Sequence, residues 1–133
     1  MRQTGDSNPV RLILLADDGI DNQRLVTFFL ERAGYEVHAV ADGHDAVAFV
    51  EKQIKADRHY DLILMDMQMP RMDGFEATRK IRDMGYQGPI IALTASSLPA
   101  DKQTCLDAGC DDYVAKPFDF EPLLDLISDK ITS

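Results

Sequence analysis

Five short apolar runs alternate along this chain with five segments whose apolar residues recur at helical spacing. Three of the runs, LILLA, LILM and IIAL, are continuously apolar, which is typical of strands that are covered on both faces. Parallel strands need right-handed crossover connections, so this alternation predicts an α/β fold in which helices cover both faces of a parallel sheet. The strand candidates are Arg11–Ala16, Glu36–Val40, Leu62–Met65, Ile90–Leu93 and Asp112–Ala115.

The segments between the strand candidates carry signals for helix ends. Asp73, followed three residues later by Glu76, has the pattern of a capping box. Ser97 is a candidate N-cap for a helix over Leu98–Ala108, and Gly109 stands where a C-terminal cap belongs. The apolar stripes of these segments are far more typical of core faces than of binding surfaces.

The length and charge of the chain limit what it binds. Its 133 residues suffice for one domain, which we place at residues 10–133, after a polar lead-in or linker at residues 1–9 that we expect to be flexible. The 23 acids outnumber the 14 bases, which argues against a nucleic-acid surface because phosphate binding needs clustered cations.

The cysteines and the apolar runs indicate neither a metal or redox site nor a membrane span. Cys105 and Cys110 do not have the spacing of a metal-binding pair or of a redox pair. No apolar run is long enough to cross a membrane, so we expect a cytoplasmic domain without membrane contact, whose parent protein could itself be membrane-anchored.

Polar residues stand where four of the strand candidates end. In open α/β sheets, ligands bind outside the carboxyl ends of the strands. The fold therefore predicts that three carboxylates, a hydroxyl and an ammonium converge on one edge of the sheet. They are Asp17 and Asp18 after the first run, Asp66 after the third, Thr94 after the fourth and Lys116 after the fifth.

These side chains have complementary chemistry. Three close carboxylates cannot all stay ionised without a cation, and oxygen ligands without a soft donor favour Mg²⁺. A lysine and a threonine hydroxyl beside that cation suit a transferred phosphoryl group, and a carboxylate can accept such a group as an acyl phosphate. Taken singly, each residue has an ordinary alternative as a turn residue, a helix cap, a strand residue or a surface charge. Their joint placement favours Asp66 as a phosphoryl acceptor that works with Mg²⁺.

Motifs for other phosphoryl and acyl chemistry are absent from the sequence. It contains no G-x-x-x-x-G-K-[ST] loop, no G-x-G-x-x-G after the first strand candidate and no G-x-S-x-G elbow. His38, His44 and His59 are scattered over a strand candidate, a helix start and a loop, away from the acidic edge. A phosphoryl donor must therefore come from outside this chain.

Four stretches of the sequence, in this order, resemble the receiver domain of two-component response regulators: LLADDGIDNQRL, DLILMDMQMPRMDGFEATRKIR, IIALTA and GCDDYVAKPF. The resemblance covers the chain from about Val10 to Ile131. It implies a flavodoxin-like fold of five βα units, with the strand order 2-1-3-4-5. It also implies a cis peptide bond between Lys116 and Pro117, a conformation that few X-Pro bonds adopt.

The resemblance implies roles for the acidic residues. Asp66 matches the phosphorylated aspartate of the family, and Asp17 and Asp18 match its acidic pair. Asp18 is the expected direct Mg²⁺ ligand, whereas Asp17 is expected to act through a water molecule. The backbone carbonyl of Gln68 matches the position that completes the protein's share of the metal coordination.

Three further residues match the switch of the family. Lys116 matches the lysine that pairs with the phosphoryl oxygens, Thr94 the hydroxyl that moves towards the phosphate, and Tyr113 the aromatic residue whose rotamer then changes. Phosphorylation would change the affinity of the face formed by the fourth helix, fifth strand and fifth helix for partners. Such a domain is not a conventional enzyme, since it catalyses its own phosphorylation and dephosphorylation.

The expected partners are a histidine kinase domain, a histidine phosphotransfer domain, or both. The sequence MDMQMPRMDGFEATRKIR and the linker-like lead-in at residues 1–9 favour the receiver of a hybrid histidine kinase over a stand-alone regulator. One alternative is a pseudo-receiver, a binding module that is never phosphorylated, although such modules usually lack one of the site residues. Another is an Mg²⁺-dependent phosphohydrolase. That class is disfavoured because Gln68 stands where it needs a second acid, and because the chain has no spare length for a substrate cap.

Overall fold

Strands and helices alternate through the part of the chain that the computed structural model describes, which is residues 10–96 and 98–132. This alternation confirms the predicted order of elements. The bounds are β1 Leu12–Ala16, α1 Ile20–Arg32, β2 Glu36–Val40, α2 Gly43–Lys55, β3 Leu62–Asp66, α3 Gly74–Asp83, β4 Ile90–Thr94, α4 Pro99–Ala108, β5 Asp112–Ala115 and α5 Phe120–Thr132.

All five strands are parallel and form one sheet in the order β2-β1-β3-β4-β5, which confirms the order that the resemblance implied. The second strand lies on one side of β1 and the third on the other, so the direction of chain progression reverses beside β1. In such sheets the crevice at the reversal lies outside the carboxyl ends of the strands. The fold thereby places the residues that follow β1 next to the end of β3.

The core consists of two layers, one on each face of the sheet. Successive strand residues point to opposite faces, so Ile13 and Leu15 belong to one layer while Leu14 and Ala16 belong to the other. Residues of α1 and α5 complete the first layer, and residues of α2, α3 and α4 complete the second. The strands β1, β3 and β4 are buried almost throughout, which explains why their sequences are continuously apolar.

Two helix ends follow the predicted capping chemistry. The Asp73 side chain accepts a hydrogen bond from the Glu76 amide (2.9 Å), which confirms the N-cap of α3. Helix α4 ends at Ala108 and is capped by Gly109, whose φ of +118° is a conformation that glycine adopts readily. The same helix begins at Pro99, one residue later than predicted, because a proline without an amide hydrogen suits the first helical position. The predicted N-cap, Ser97, lies outside the described residues.

The strands that end in polar residues are one residue longer than their apolar runs. Asp66 is the last residue of β3 and Thr94 is the last residue of β4. The amide after Asp66 donates to the Leu93 carbonyl (2.9 Å), and the Lys116 amide donates to the Thr94 carbonyl (2.7 Å). At the other end of the sheet, β1 begins at Leu12, one residue after its predicted start, where its pairing with β2 begins. The hydrogen bonds at the carboxyl edge fix the backbone on which the candidate site stands.

Other sequence expectations concern parts of the chain away from this edge. No helix within residues 10–96 and 98–132 is long and apolar enough to span a membrane. The lead-in at residues 1–9 lies outside the described part of the chain. Cys105 and Cys110 are buried free thiols, and burial raises the pKa of Cys110 to about 12, so this thiol stays protonated at neutral pH.

Candidate functional site

Three carboxylates meet at the carboxyl edge of the sheet, as predicted from the strand ends. Asp17 and Asp18 follow β1, and Asp66 ends β3. One oxygen atom of each lies within 4.8 Å of the others. Asp17 and Asp66 are buried, with only 1% and 4% of their surface exposed, whereas Asp18 is exposed. Because the three ligand groups are hard oxygen donors, they fit a divalent cation such as Mg²⁺.

Lys116 brings a positive charge into this cluster. Its Nζ atom lies 2.9 Å from Asp66 Oδ2 and 3.5 Å from Asp17 Oδ2. The peptide bond between Lys116 and Pro117 is cis, which confirms what the resemblance implied. The ammonium thereby contacts two of the three carboxylates and leaves Asp18 facing solvent.

Burial and pairing act on Asp66 in opposite directions. Burial raises the pKa of Asp66, and its hydrogen bonds from Lys116 and from the Gln68 amide (3.0 Å) only partly offset that rise. Burial lowers the pKa of Lys116, but its hydrogen bond to Asp66 and the charges of Asp66 and Asp17 outweigh it and raise the pKa. Burial outweighs pairing at Asp66 but not at Lys116, because Asp66 is almost inaccessible to solvent whereas the Lys116 side chain remains 29% exposed.

This raised pKa leads to a prediction for the metal-free protein. An acid whose pKa is raised by folding loses stability as the pH increases through that range, because the folded state holds the proton more tightly than the unfolded state. We therefore expect Asp66→Asn to increase the free energy of unfolding at pH 7 in the presence of chelator. The gain should shrink as the pH falls through the pKa of Asp66 towards the ordinary value of 3.8.

Urea unfolding at several pH values, with chelator throughout, checks this prediction. Asp83→Asn is the matched control because Asp83 is exposed at the end of α3. This substitution should change the free energy of unfolding by no more than about 0.5 kcal/mol. A metal-free Asp66→Asn protein that is less stable than the wild type at pH 7 would contradict the prediction.

Thr94 and Gln68 both lie at the site, but their present contacts differ from their implied roles. The Thr94 hydroxyl oxygen accepts a hydrogen bond from the Ser96 amide (3.2 Å). The Ser96 hydroxyl in turn donates to the Asp101 carboxylate in the first turn of α4. The Gln68 amide donates to Asp66 Oδ1 (3.0 Å), so the loop after β3 contacts the Asp66 carboxylate directly.

Tyr113 stands apart from the carboxylate cluster. It is the second residue of β5 and is half-buried beside the layer that α2, α3 and α4 cover. The Lys102 ammonium of α4 lies 4.6 Å from the centroid of its ring, in a cation–π contact. The Tyr113 side chain thus extends from β5 to α4, where a change of its rotamer would alter the contact with Lys102.

Two side chains of α1 that sequence analysis missed fix the position of Asp17. Asn22 donates its side-chain amide to Asp17 Oδ2, and Gln23 donates to the carbonyls of Asp17 (3.1 Å) and Val40 (3.0 Å). The Gly19 amide donates to Asp17 Oδ1 (2.9 Å). The only signal in the sequence was a pair of amide side chains in the helix after the acidic pair, a pattern that suits an exposed helix surface equally well.

The histidines lie away from this edge, as expected. His38 is in β2, and its Nδ1 atom is 2.8 Å from the Tyr60 hydroxyl. His44 lies in the first turn of α2, and His59 lies in the connection between α2 and β3. Within the described residues, none of the three contacts the carboxylate cluster.

The family model for the response regulator receiver domain matches residues 13–128. The chain belongs to the response regulator receiver family. The matched range begins at the second residue of β1, includes the other four strands in full, and contains all three carboxylates.

Relatives of this receiver domain include large kinases. The chain is 38% identical over 123 residues to hybrid signal transduction histidine kinase I of Dictyostelium discoideum. It is 37% identical over 125 residues to sensor histidine kinase RcsC of Escherichia coli. These matches cover 90% and 94% of the chain but only 7% and 12% of the kinases, so the chain spans a small part of the length of these relatives.

A solved receiver domain has the same fold and holds a metal. The receiver domain of sensor histidine kinase PA1611 from Pseudomonas aeruginosa matches with a TM-score of 0.84 and 42% identity. The match covers 94% of this chain and 100% of that chain. In that structure a magnesium ion is coordinated in the active site cleft.

Proposed function

We propose that this receiver domain accepts a phosphoryl group from a phosphohistidine of a partner protein onto Asp66, in a reaction that requires Mg²⁺. The observation that carries the proposal is the environment of Asp66: a buried carboxylate at the end of β3, paired with Lys116 and within 4.8 Å of two further carboxylates. A buried acid with a cation on one side and an acidic cluster on the other is poorly explained by a turn or capping role.

The proposed reaction is a transfer between two nucleophiles. A carboxylate oxygen of Asp66 attacks the phosphorus atom, the bond from phosphorus to the imidazole nitrogen breaks, and that nitrogen keeps the electron pair and takes up a proton from solvent. The product is an acyl phosphate, which water later hydrolyses to restore the carboxylate. No oxidant, reductant or nucleotide is needed.

The residues that would hold Mg²⁺ are Asp18, Asp17 and Asp66, together with the backbone carbonyl of Gln68. When bound, the ion neutralises negative charge on the carboxylates and the phosphoryl oxygens. Asp18 is exposed and has no hydrogen-bond partner among the described residues, which suits a direct ligand. Both oxygens of Asp17 already accept hydrogen bonds, from Gly19 and Asn22, which suits a contact through water.

Lys116 and Thr94 would bind the phosphoryl group once it is attached. The Lys116 ammonium, 2.9 Å from Asp66 Oδ2, is placed to pair with an added phosphoryl oxygen. The Thr94 hydroxyl would turn from the Ser96 amide towards the phosphoryl group, and the space that it leaves would allow Tyr113 to turn inwards. The surface formed by α4, β5 and α5 would then change its affinity for partners.

The proposed partner is a histidine phosphotransfer domain or a histidine kinase domain within a phosphorelay. A partner that brings an imidazole to Asp66 must cover the surface around the acidic edge. Beside that edge lies a cavity of about 410 Å³, and α1 carries exposed apolar side chains next to it. The cavity is lined by Asn22, Leu25, Lys116, Pro117, Phe118 and Phe120. An apolar surface around a polar acceptor suits a transient docking partner.

Intact mass spectrometry tests the proposed function. The chain is incubated with phosphoramidate, a small phosphoryl donor, in the presence of Mg²⁺ or of chelator. We expect a gain of one phosphoryl group with Mg²⁺ and none with chelator. No gain under either condition would favour a pseudo-receiver, a binding module that is not phosphorylated.

The proposed metal site also predicts a change in thermal stability. A ligand that binds only the folded state stabilises it, by about 2.7 kcal/mol when its free concentration is about a hundred times its dissociation constant. Mg²⁺ should therefore raise the melting temperature of the wild type by several degrees, and Asp18→Asn should remove most of that rise. Differential scanning calorimetry with and without Mg²⁺ measures it, with Asp83→Asn as the control that keeps the rise. If Mg²⁺ does not change the melting temperature of the wild type, the proposed metal site is contradicted.

A further inference from the structure

The loop between β3 and α3, residues 67–73, contains a strained turn. Arg71 has a φ of +65°, a conformation that residues other than glycine seldom adopt. The Met72 amide donates to the Pro70 carbonyl (2.7 Å), so the chain closes a three-residue turn around Arg71. Turns of this kind with a positive φ are rare, and they persist only where surrounding contacts hold them.

The Arg71 side chain supplies such contacts. Its Nε atom donates to Asp42 Oδ2 (3.0 Å), one terminal nitrogen lies 2.7 Å from the same oxygen, and that nitrogen lies 3.6 Å from Asp45 Oδ1. Asp42 is only 8% exposed. Its hydrogen bond from the Asp45 amide and its pairing with Arg71 hold the pKa of Asp42 below its ordinary value against the effect of burial, so it stays charged at neutral pH.

The backbone beside this ion pair joins the same two segments. The Gly43 amide, at the start of α2, donates to the Met72 carbonyl (3.0 Å). A Cβ atom at Gly43 would lie 2.3 Å from that carbonyl oxygen, so only glycine allows this approach. The turn around Arg71 is therefore pressed against the amino end of α2.

The other end of the loop contacts the acceptor. The Gln68 amide donates to Asp66 Oδ1 (3.0 Å), and the Gly74 amide donates to the Met67 carbonyl (3.2 Å). A Cβ atom at Gly74 would lie 2.3 Å from the Asp66 carbonyl oxygen. The loop is thus held at Asp66 on one side and at α2 on the other, with Arg71 as its charged anchor.

We propose that Arg71 is a positioning residue for the phosphoacceptor site: its ion pair with Asp42 holds the loop over residues 67–73, and thereby the Gln68 backbone, against Asp66. The consequence for the reaction rests on the proposed function. If the anchor is lost, the turn relaxes to an ordinary negative φ and the Gln68 amide moves away from Asp66. The Gln68 carbonyl, which would help to hold Mg²⁺, would move with it.

Hydrogen exchange at single amides tests the anchor without metal or donor. In Arg71→Gln with chelator, we expect the Gln68 amide to exchange at least about tenfold faster than in the wild type, because its hydrogen bond to Asp66 is lost. The Met67 amide, which donates to Leu93 within the sheet, should be unchanged. Arg79→Gln, an exposed arginine of α3, is the matched control. Equal exchange at Gln68 in the wild type and Arg71→Gln would overturn the proposal, whether or not the chain is phosphorylated.

A double-mutant cycle tests the role of the anchor in the reaction. Asn can still cap α2, so Asp42→Asn removes the charge and keeps the cap. We expect Arg71→Gln and Asp42→Asn each to raise the Mg²⁺ concentration that half-saturates phosphorylation by phosphoramidate at least about fivefold, with no further rise in the double variant. Arg71→Lys should recover part of the loss. In a second possible outcome, Gln68 exchange changes, but the half-saturating Mg²⁺ concentration of both single variants stays within twofold of the wild type. The anchor would then be merely structural, and its role in the reaction would be overturned. An unphosphorylated wild type would instead refute the proposed function and leave the exchange test to decide on the anchor.

Discussion

Asp66→Asn should lower phosphoryl incorporation from phosphoramidate to below about one-thousandth of the wild-type rate, as expected when a covalent nucleophile is removed. An amide has no anionic oxygen to attack phosphorus. It is nevertheless nearly the same size as the carboxylate, and its oxygen can still accept the hydrogen bond from the Gln68 amide. The fold should therefore persist, and the loss should be one of chemistry alone.

Time courses of intact mass measure this effect, with circular dichroism to establish that the variant is folded. Asp83→Asn removes a carboxylate at an exposed position of α3 and should react at the wild-type rate. A folded Asp66→Asn protein that still gains a phosphoryl group at the wild-type rate would assign the acceptor to another residue.

The second large effect is expected at Lys116. Lys116→Met keeps most of the aliphatic stem but removes the ammonium that pairs with Asp66 and Asp17. Removing one partner of a buried ion pair costs about 3–5 kcal/mol. Because the Lys116 side chain is 29% exposed and partly screened by solvent, we expect a loss of about 2 kcal/mol at pH 7 without metal. Phosphorylation should also slow by about a hundredfold, the usual effect of removing one preorganised donor at a reacting oxyanion.

Two comparisons separate charge from packing at this position. Lys116→Arg keeps the charge and should lose less stability than Lys116→Met. Lys80→Met removes an exposed lysine whose only ion pair within the described residues is a long one, 4.0 Å from Glu76. The free energy of unfolding of this variant should therefore stay within about 0.5 kcal/mol of the wild type. Urea unfolding in the presence of chelator measures the stability of each variant, and time courses with phosphoramidate and Mg²⁺ measure its phosphorylation rate. A Lys116→Met protein with wild-type stability and rate would contradict the role of the ammonium.

The fold could be predicted from the sequence because each decisive feature is local. Continuous apolar runs indicate strands that are buried on both faces, and apolar residues at helical spacing between these runs indicate the crossover helices. Once the sheet is parallel, the residues at the strand ends share one edge, which is how Asp66 and Lys116 could be placed together although they lie 50 residues apart. The strand order and the cis bond before Pro117 came from the resemblance, since no local pattern determines them.

The contacts that could not be predicted join residues far apart in the chain through exact side-chain geometry. Arg71 and Asp42 are 29 residues apart, and nothing in either neighbourhood marks the other as its partner. Arg82 is a similar case, since its guanidinium donates to three backbone carbonyls and to the Asp111 carboxylate. The hydrogen bond from the Ser96 amide to Thr94 depends on a side-chain rotamer, which sequence patterns do not report.

The position of the phosphoryl group on the chain tests the proposed function most directly. Borohydride reduces an aspartyl phosphate to homoserine, a stable product that survives proteolysis. The wild-type chain would be phosphorylated with phosphoramidate and Mg²⁺, reduced, digested and sequenced by mass spectrometry. The proposed function predicts homoserine at position 66 and at no other aspartate. Homoserine at Asp17, Asp18 or elsewhere, or an unmodified chain, would contradict it.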